Sequence, residues 1–216
     1  MPPRRETAPS CSSSSSTLSA KRYTRQKHYE PRPLDEDALA RFERGLVLAP
    51  TWLRDFTLLL RDAGLRLSEA RLLRASDIQD LAREGWLTIR IATGKSGRGR
   101  TIPVRTLRLN RVLRGRARGV MTRADDWLFP GRKLRRYVGR HPLTRDGVEK
   151  AWRRHAARSG QVGKVLHQLR HTLATELVRA GVRLPEIMAY LGWRRAQTAL
   201  SYLAARDLLA IPELDR

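Results

Sequence analysis

With a single cysteine, Cys11, among 216 residues, the chain lacks the means for an intrachain disulfide or a thiolate metal cluster. No apolar run approaches the roughly 18 residues that a membrane span requires. The N-terminus has no apolar core of the kind a signal peptide carries. A reducing cytoplasm is the compartment these absences fit, with no membrane involved. Acidic residues are scarce as well: 21 stand against 44 lysines and arginines, a formal charge of +23. Arginines recur in every segment rather than in one tail, and nucleic acid is the polyanion they best match. The length suits one ordinary domain with a real core and little more.

Residues 1–33 combine a serine run, Ser12 to Ser16, with the basic stretch KRYTRQKHYEPRP and hardly any aliphatic side chains, the composition of a disordered arm. Its basic half either tracks a phosphate backbone or is a solvated tail. Folding signals begin at Leu34, where Asp35, Glu36 and Asp37 lead into a helix. A second helix from Pro50 or Thr51 carries Trp52, Leu53, Phe56, Leu59 and Leu60 as core and stops at Gly64. Arg66 precedes a short helix that Ser68 can cap.

Trp86 to Ala92 and Arg100 to Val104 alternate as two strands of a hairpin, joined by TGKSGRG with Lys95, Arg98 and Arg100 at the loop. The GKS there is no phosphate-binding P-loop, because the first glycine of that motif is missing and a strand follows instead of a helix. A basic helix runs from Thr106 to Gly119 with Leu107, Leu109, Val112 and Leu113 as its buried stripe, and DDWLFPGRK reads as a turn-rich connector. Thr144 caps the next helix, whose inner face is Val148, Ala151, Trp152, His155 and Ala156. The chain then enters its most informative stretch, HQLRHTLATELVRAGVRLPEIMAYLGWRRAQTALSY, from His167 to Tyr202. It is a helix closed by Gly181, a short helix opened by Pro185, and a third that carries Tyr202. His167 shares a face with Arg170 and His171, at spacings of three and four.

Singly, these residues have ordinary readings. His167 fits a satisfied histidine, Trp193 and Tyr202 fit packing aromatics, and helix, Gly181, helix is also the outline of a DNA-reading helix-turn-helix. Jointly they do not. His-x-x-Arg at 167–170, Leu191-Gly192-Trp193 and Tyr202, with intervals of 26 from His167 to Trp193 and nine from Trp193 to Tyr202, resemble the signature of the tyrosine recombinase or phage integrase family. The resemblance extends upstream to Gly64-Leu65-Arg66-Leu67-Ser68-Glu69, the setting of that family's first catalytic arginine, and to Lys95 on the hairpin.

The resemblance implies a mainly α-helical catalytic domain with a small antiparallel β-hairpin sheet over residues 34–205, and site-specific cleavage and rejoining of double-stranded DNA. It makes Tyr202 the nucleophile, leaving a 3′-phosphotyrosyl bond and a free 5′-hydroxyl, so that rejoining needs no ATP. Arg66 and Arg170 would fork onto the non-bridging oxygens, as a lysine could not. Lys95 would protonate the leaving oxygen, and His167 would bond the phosphate and assist proton movement at Tyr202. Trp193 would donate its indole N–H. Glu69 either orients a catalytic arginine or merely favours its helix N-terminus, and His171 supports, holding its helix against a neighbour. No cofactor and no metal is called for, since two arginines do the charge work of a divalent ion.

With the basic arm standing where a core-binding domain usually precedes the catalytic domain, the chain resembles the short, catalytic-domain-only recombinases. Site selection then rests on its own groove contacts or on accessory DNA-bending proteins. The family acts as a homo-oligomer, a tetramer on paired sites, and residues 206–216 with Leu208, Leu209 and Ile211 either dock on a neighbouring protomer or pack on their own domain. The alternatives are a tyrosine-type topoisomerase and a non-catalytic helix-turn-helix-like regulator.

Overall fold

Helix α1, Glu36–Leu46, begins where Asp35 accepts a hydrogen bond from the Ala38 amide at 2.7 Å, with Glu36 and Asp37 in the first turn complementing the helix dipole. This start is the one the acidic run predicts. The computed structural model describes residues 32–79, 81, 85–89, 99–120, 124–131, 141–160 and 165–204. The rest of the N-terminal arm, the hairpin tip with Lys95 and Arg98, and the segment after Ala204 lie outside these described residues.

Helix α2, Thr51–Asp62, is buried on most of its circumference: Leu53, Phe56, Leu59 and Leu60 are core, and so are Thr57, Arg61 and Asp62. Helices α3, Leu67–Arg71, and α4, Leu107–Val120, lie beside it, and α5 spans Arg145–Arg158. Helix α6, Val165–Arg179, makes its most extensive helix contact with α2, and α7, Leu184–Leu191, and α8, Ala196–Ala204, close over α6. A polar α2 interior would be expensive without partners. It has them: Arg61 forks onto Glu176 of α6 at 2.9 and 2.6 Å, Asp62 receives Arg108 of α4 through Nε and Nη2 at 2.6 Å each, and Arg116 of α4 reaches Asp55 at 2.9 Å. None of the described helices is long and apolar enough to cross a membrane.

Strands β1, Trp86–Ile89, and β2, Arg100–Pro103, pair antiparallel in the register Trp86↔Pro103, Leu87↔Ile102, Thr88↔Thr101 and Ile89↔Arg100. Side chains of directly opposite residues share a face, and the pleat repeats every two residues. Leu87, Ile89 and Ile102 are buried, so Arg100 is on the inward face too. Arg100 opens the strand, as its place in the hairpin predicts, and it turns inward instead of toward the loop.

Three further expectations change. Ser68 does not cap α3; Arg66 is the N-cap residue, and its amide donates to the Glu69 carboxylate at 2.8 Å. Leu107 is 87 % exposed, ahead of the buried stripe formed by Leu109 and Leu113. The connector around Trp127 enters the core: Leu128 and Phe129 are buried, Leu128 N–H bonds the Leu73 carbonyl at 2.8 Å, and Phe129 meets Phe56 edge to face at 5.1 Å. Turn chemistry in its flanks hid two core residues between them.

Candidate active site

Two glycines with positive φ shape the pocket. Gly64, at φ +60°, ends the α2 segment where an added Cβ would lie 2.6 Å from Leu191 Cδ2 and 2.8 Å from Leu173 Cδ2. Gly192, at φ +64°, caps α7 in the left-handed conformation, with the Trp193 amide bonding back to Met188 O at 2.9 Å. Only glycine adopts these angles without penalty, and the second turn presents Trp193 next to α6.

Helix α6 supplies the floor. Its C-terminus closes on Gly181, whose amide reaches Val178 O at 3.0 Å while Val182 N–H reaches Leu177 O at 3.1 Å. Arg170, 8 % exposed, donates through Nη1 to Gly64 O and through Nη2 to Leu191 O. One guanidinium thus ties the turn before Arg66 to the end of α7. Burial, then the positive charge of Arg66, pulls Arg170 from its ordinary range down to about 9, against the opposing pull of Glu69. A cation so placed gains from any anion that enters beside it.

Arg66 stands at the half-exposed edge. Its Nη1 donates to Glu69 Oε1 at 2.9 Å and its Nη2 to Gly192 O at 3.4 Å. Glu69 also receives Arg100, Nη1 to Oε1 and Nη2 to Oε2, both at 3.0 Å. Burial alone would raise the Glu69 carboxyl, but the hydrogen bonds and charge of Arg100, the Arg66 amide and the charge of Arg170 together hold it at about 2. Glu69 thus accepts from its own helix N-terminus and from the guanidinium groups of Arg66 and Arg100.

Tyr202 comes from α8 and is 3 % exposed. Its hydroxyl is hydrogen-bonded to His171 Nδ1, and its ring lies near-parallel to Trp193 at 4.8 Å and to His171 at 5.7 Å. His167 is exposed at the rim and meets His171 edge to face at 4.9 Å. Burial, then the charges of Arg170 and Arg145, lowers His167. Burial, then His167 and Arg170, lowers His171 to about 4, so its imidazole is neutral at pH 7.

The structure therefore brings Arg66, His167, Arg170, Trp193 and Tyr202 into one pocket. Lys95 lies outside the described residues. Two members were under-read. His171, expected only to brace its helix, is the imidazole in contact with Tyr202, a place expected for His167; its i, i+4 relation to His167 was the available signal. Arg100, expected at the join of loop and strand, has no role in the site predicted from the sequence, although its alternation with Ile102 marks the buried face.

Comparison with known proteins agrees with this geometry. Residues 36–208 match the profile of the Phage integrase family. The chain is 36 % identical over 143 residues to a putative integrase/recombinase, y4qK, of Sinorhizobium fredii, an alignment covering 65 % of this chain and 42 % of the relative. It is 30 % identical over 178 residues to tyrosine recombinase XerA of Pyrococcus furiosus, covering 80 % of this chain and 57 % of that protein. The chain thus spans about half the length of the curated relatives it matches. Among solved structures, the XerA recombinase superposes with a TM-score of 0.63 at 24 % identity, over 83 % of this chain and 62 % of that one. The catalytic domain of bacteriophage HP1 integrase gives 0.55 at 20 % identity, over 81 % and 88 %. The fold is that of a tyrosine recombinase catalytic domain, and the chain belongs to the phage integrase family of tyrosine recombinases.

Proposed function

We propose that this chain breaks and rejoins double-stranded DNA at specific sites, with Tyr202 as nucleophile and Arg66 and Arg170 as the phosphate clamp. The observation that carries the reading is the delivery of the Tyr202 hydroxyl onto a neutral imidazole, in the pocket where Arg170 is hemmed in by Arg66 and buried. A phenol of ordinary pKa near 10 needs a proton acceptor and nearby cations at neutral pH, and His171 with Arg170 supplies both. Phosphoryl transfer asks mainly for alignment and charge stabilisation. The phosphodiester enters against Arg66 and His167 at the rim. Tyr202 attacks phosphorus, a 3′-phosphotyrosyl bond forms, and the 5′-oxygen leaves with a proton that we assign to Lys95. Rejoining reverses the steps, with the bond energy kept in the ester and no metal or ATP consumed.

DNA is the partner this chemistry requires, and solved neighbours in the same fold include a XerH recombinase bound to its difH substrate. Assembly on paired sites as a tetramer, help from DNA-bending proteins, a DNA-tracking role for residues 1–33 and docking of residues 206–216 on a neighbour belong to the same proposal, as does a cytoplasmic, nucleoid-associated location. A nicked duplex carrying the cognate site, identified by sequencing DNA crosslinked to the protein in its host, tests it. The chain should be trapped covalently, while Tyr202→Phe binds the same DNA and forms no adduct. A wild-type protein that binds the site and is never trapped would favour the non-catalytic regulator.

A further inference from the structure

Arg100 is the one arginine of the pocket to which the chemistry above gives no task, yet it is the most completely engaged. Its side chain is only 12 % exposed. Nη1 and Nη2 fork onto the two Glu69 oxygens at 3.0 Å, and Nε donates to Tyr190 O at 2.9 Å, one turn end away from Trp193. The guanidinium lies so close over Gly192 that an added Cβ there would sit 2.7 Å from Nη1 and 3.0 Å from Cζ. Three segments that are far apart in the chain meet on this one group: the Arg66-to-Glu69 helix start, the turn carrying Trp193, and the strand that follows Lys95.

The consequence concerns Arg66. Each Glu69 oxygen accepts one bond from Arg100 and one from Arg66, the latter through its amide and Nη1. A buried carboxylate paired with Arg66 alone would take that guanidinium in a fork and withdraw it from the rim. With Arg100 forked across both Glu69 oxygens, the Arg66 guanidinium is held by single bonds to Glu69 and Gly192 O and keeps 38 % of its side chain exposed.

We propose that Arg100 is a positioning residue, which sets the Arg66 guanidinium for phosphate by holding Glu69 from the side opposite and locking it to the Gly192 turn. The proposal rests on the reading of Arg66 as a phosphate ligand. The task requires a planar fork, so lysine, with the same charge and no fork, does not replace arginine here.

Arg100→Lys and Arg100→Gln are compared with wild type in the full-length chain by two measurements. The first needs no DNA: the guanidinium 15N–1H signals of Arg66, assigned with Arg66→Lys. Wild type should give resolved, slowly rotating Nη signals, and both variants should lose them while their backbone spectra stay folded. The second is the single-turnover rate of covalent adduct formation on the nicked duplex. It should fall about 100-fold in both variants, the effect of misplacing a reacting partner by about an ångström, with the DNA concentration for half-maximal rate unchanged. Unaltered Arg66 signals in the variants, or a wild-type rate restored by Arg100→Lys, would overturn the proposal. If Arg100→Gln does not fold, Arg100→Lys decides alone. A wild-type chain that forms no adduct refutes the recombinase reading instead, and the Arg66 signals still decide the role of Arg100.

Discussion

Two groups of inward-turned arginines sit a few residues apart and are built to opposite rules. Around α2, arginines are balanced by carboxylates: Arg61 by Glu176, Arg108 by Asp62 and Glu43, and Arg116 together with Arg54 by Asp55. In the pocket, Arg66 and Arg100 share Glu69, and Arg170 rests on two backbone carbonyls. The electrostatic outcome differs in sign. The hydrogen bonds and charge of Asp62 raise Arg108 above its ordinary value despite burial, whereas burial and Arg66 pull Arg170 down to about 9. Matched pairs hold a fold together; an excess of buried positive charge favours an anion beside it.

The largest effect that separates the groups is on rate. Arg170→Gln should lower adduct formation about 10²- to 10³-fold, the usual consequence of losing one donor to a developing oxyanion. Its stability in urea should stay within about 1 kcal/mol of wild type, because relief of repulsion from Arg66 offsets the hydrogen bonds lost to Gly64 O and Leu191 O. Arg108→Ala should do the reverse. It leaves Asp62, whose side chain is 1 % exposed, without its cation and with only the Thr106 hydroxyl of its side-chain donors, and should cost about 3 kcal/mol of folding free energy while the folded fraction cleaves at the wild-type rate. Equal destabilisation by the two substitutions would erase the distinction.

A smaller effect sharpens the role of His171. Its folded pKa, about 4, is below the unfolded value near 6.5, so the folded state binds fewer protons between those limits. The stability tied to its neutral form is fully present above pH 6.5 and is lost as the pH falls toward 4. Burial sets this first, then the charges of His167 and Arg170; the Tyr202 hydroxyl faces the same ring. Urea titrations at pH 7 and pH 4.5 should show His171→Gln losing about 2 kcal/mol less than wild type over that interval. His155 and His167, both also lowered by burial, keep the remainder of the acid limb in place. An identical fall in both proteins would mean that His171 is not held neutral by its surroundings.

Most of this pocket could be read before any coordinates because its residues occur in ordered local motifs. Arg66 stands two residues after a glycine of positive φ, His167 and Arg170 share a helix face, and Trp193 follows the glycine that ends α7. Arg100 is equally visible as the first residue of a strand, two residues from Ile102 on one face, but nothing local says that this face carries it to Glu69. What could not be read was pairing across the fold. Asp62 choosing Arg108, Glu69 choosing Arg100, and His171 rather than His167 touching Tyr202 depend on how α2, α4, α6 and α8 pack. A chain with 44 basic side chains offers many candidates for each partner. Leu128 and Phe129 were missed for the opposite reason: local turn chemistry was correct for their neighbours and silent about burial.

The smallest expected effect tests the anion-site idea without DNA or cleavage. Inorganic phosphate bound between Arg66 and Arg170 would stabilise the folded state by mass action, about 1.4 kcal/mol when phosphate is tenfold above its dissociation constant. For a domain of this size that is a rise in Tm of about 3–6 °C. Chloride at matched ionic strength should give little of it, since general screening acts equally on both groups of arginines. Arg108→Ala should keep the phosphate-specific increment although its Tm starts lower, and Arg170→Gln should lose it although its Tm starts near wild type. An increment that survives in Arg170→Gln would assign phosphate to the exposed arginines of the surface, and the unmatched charge of the pocket would then need another explanation.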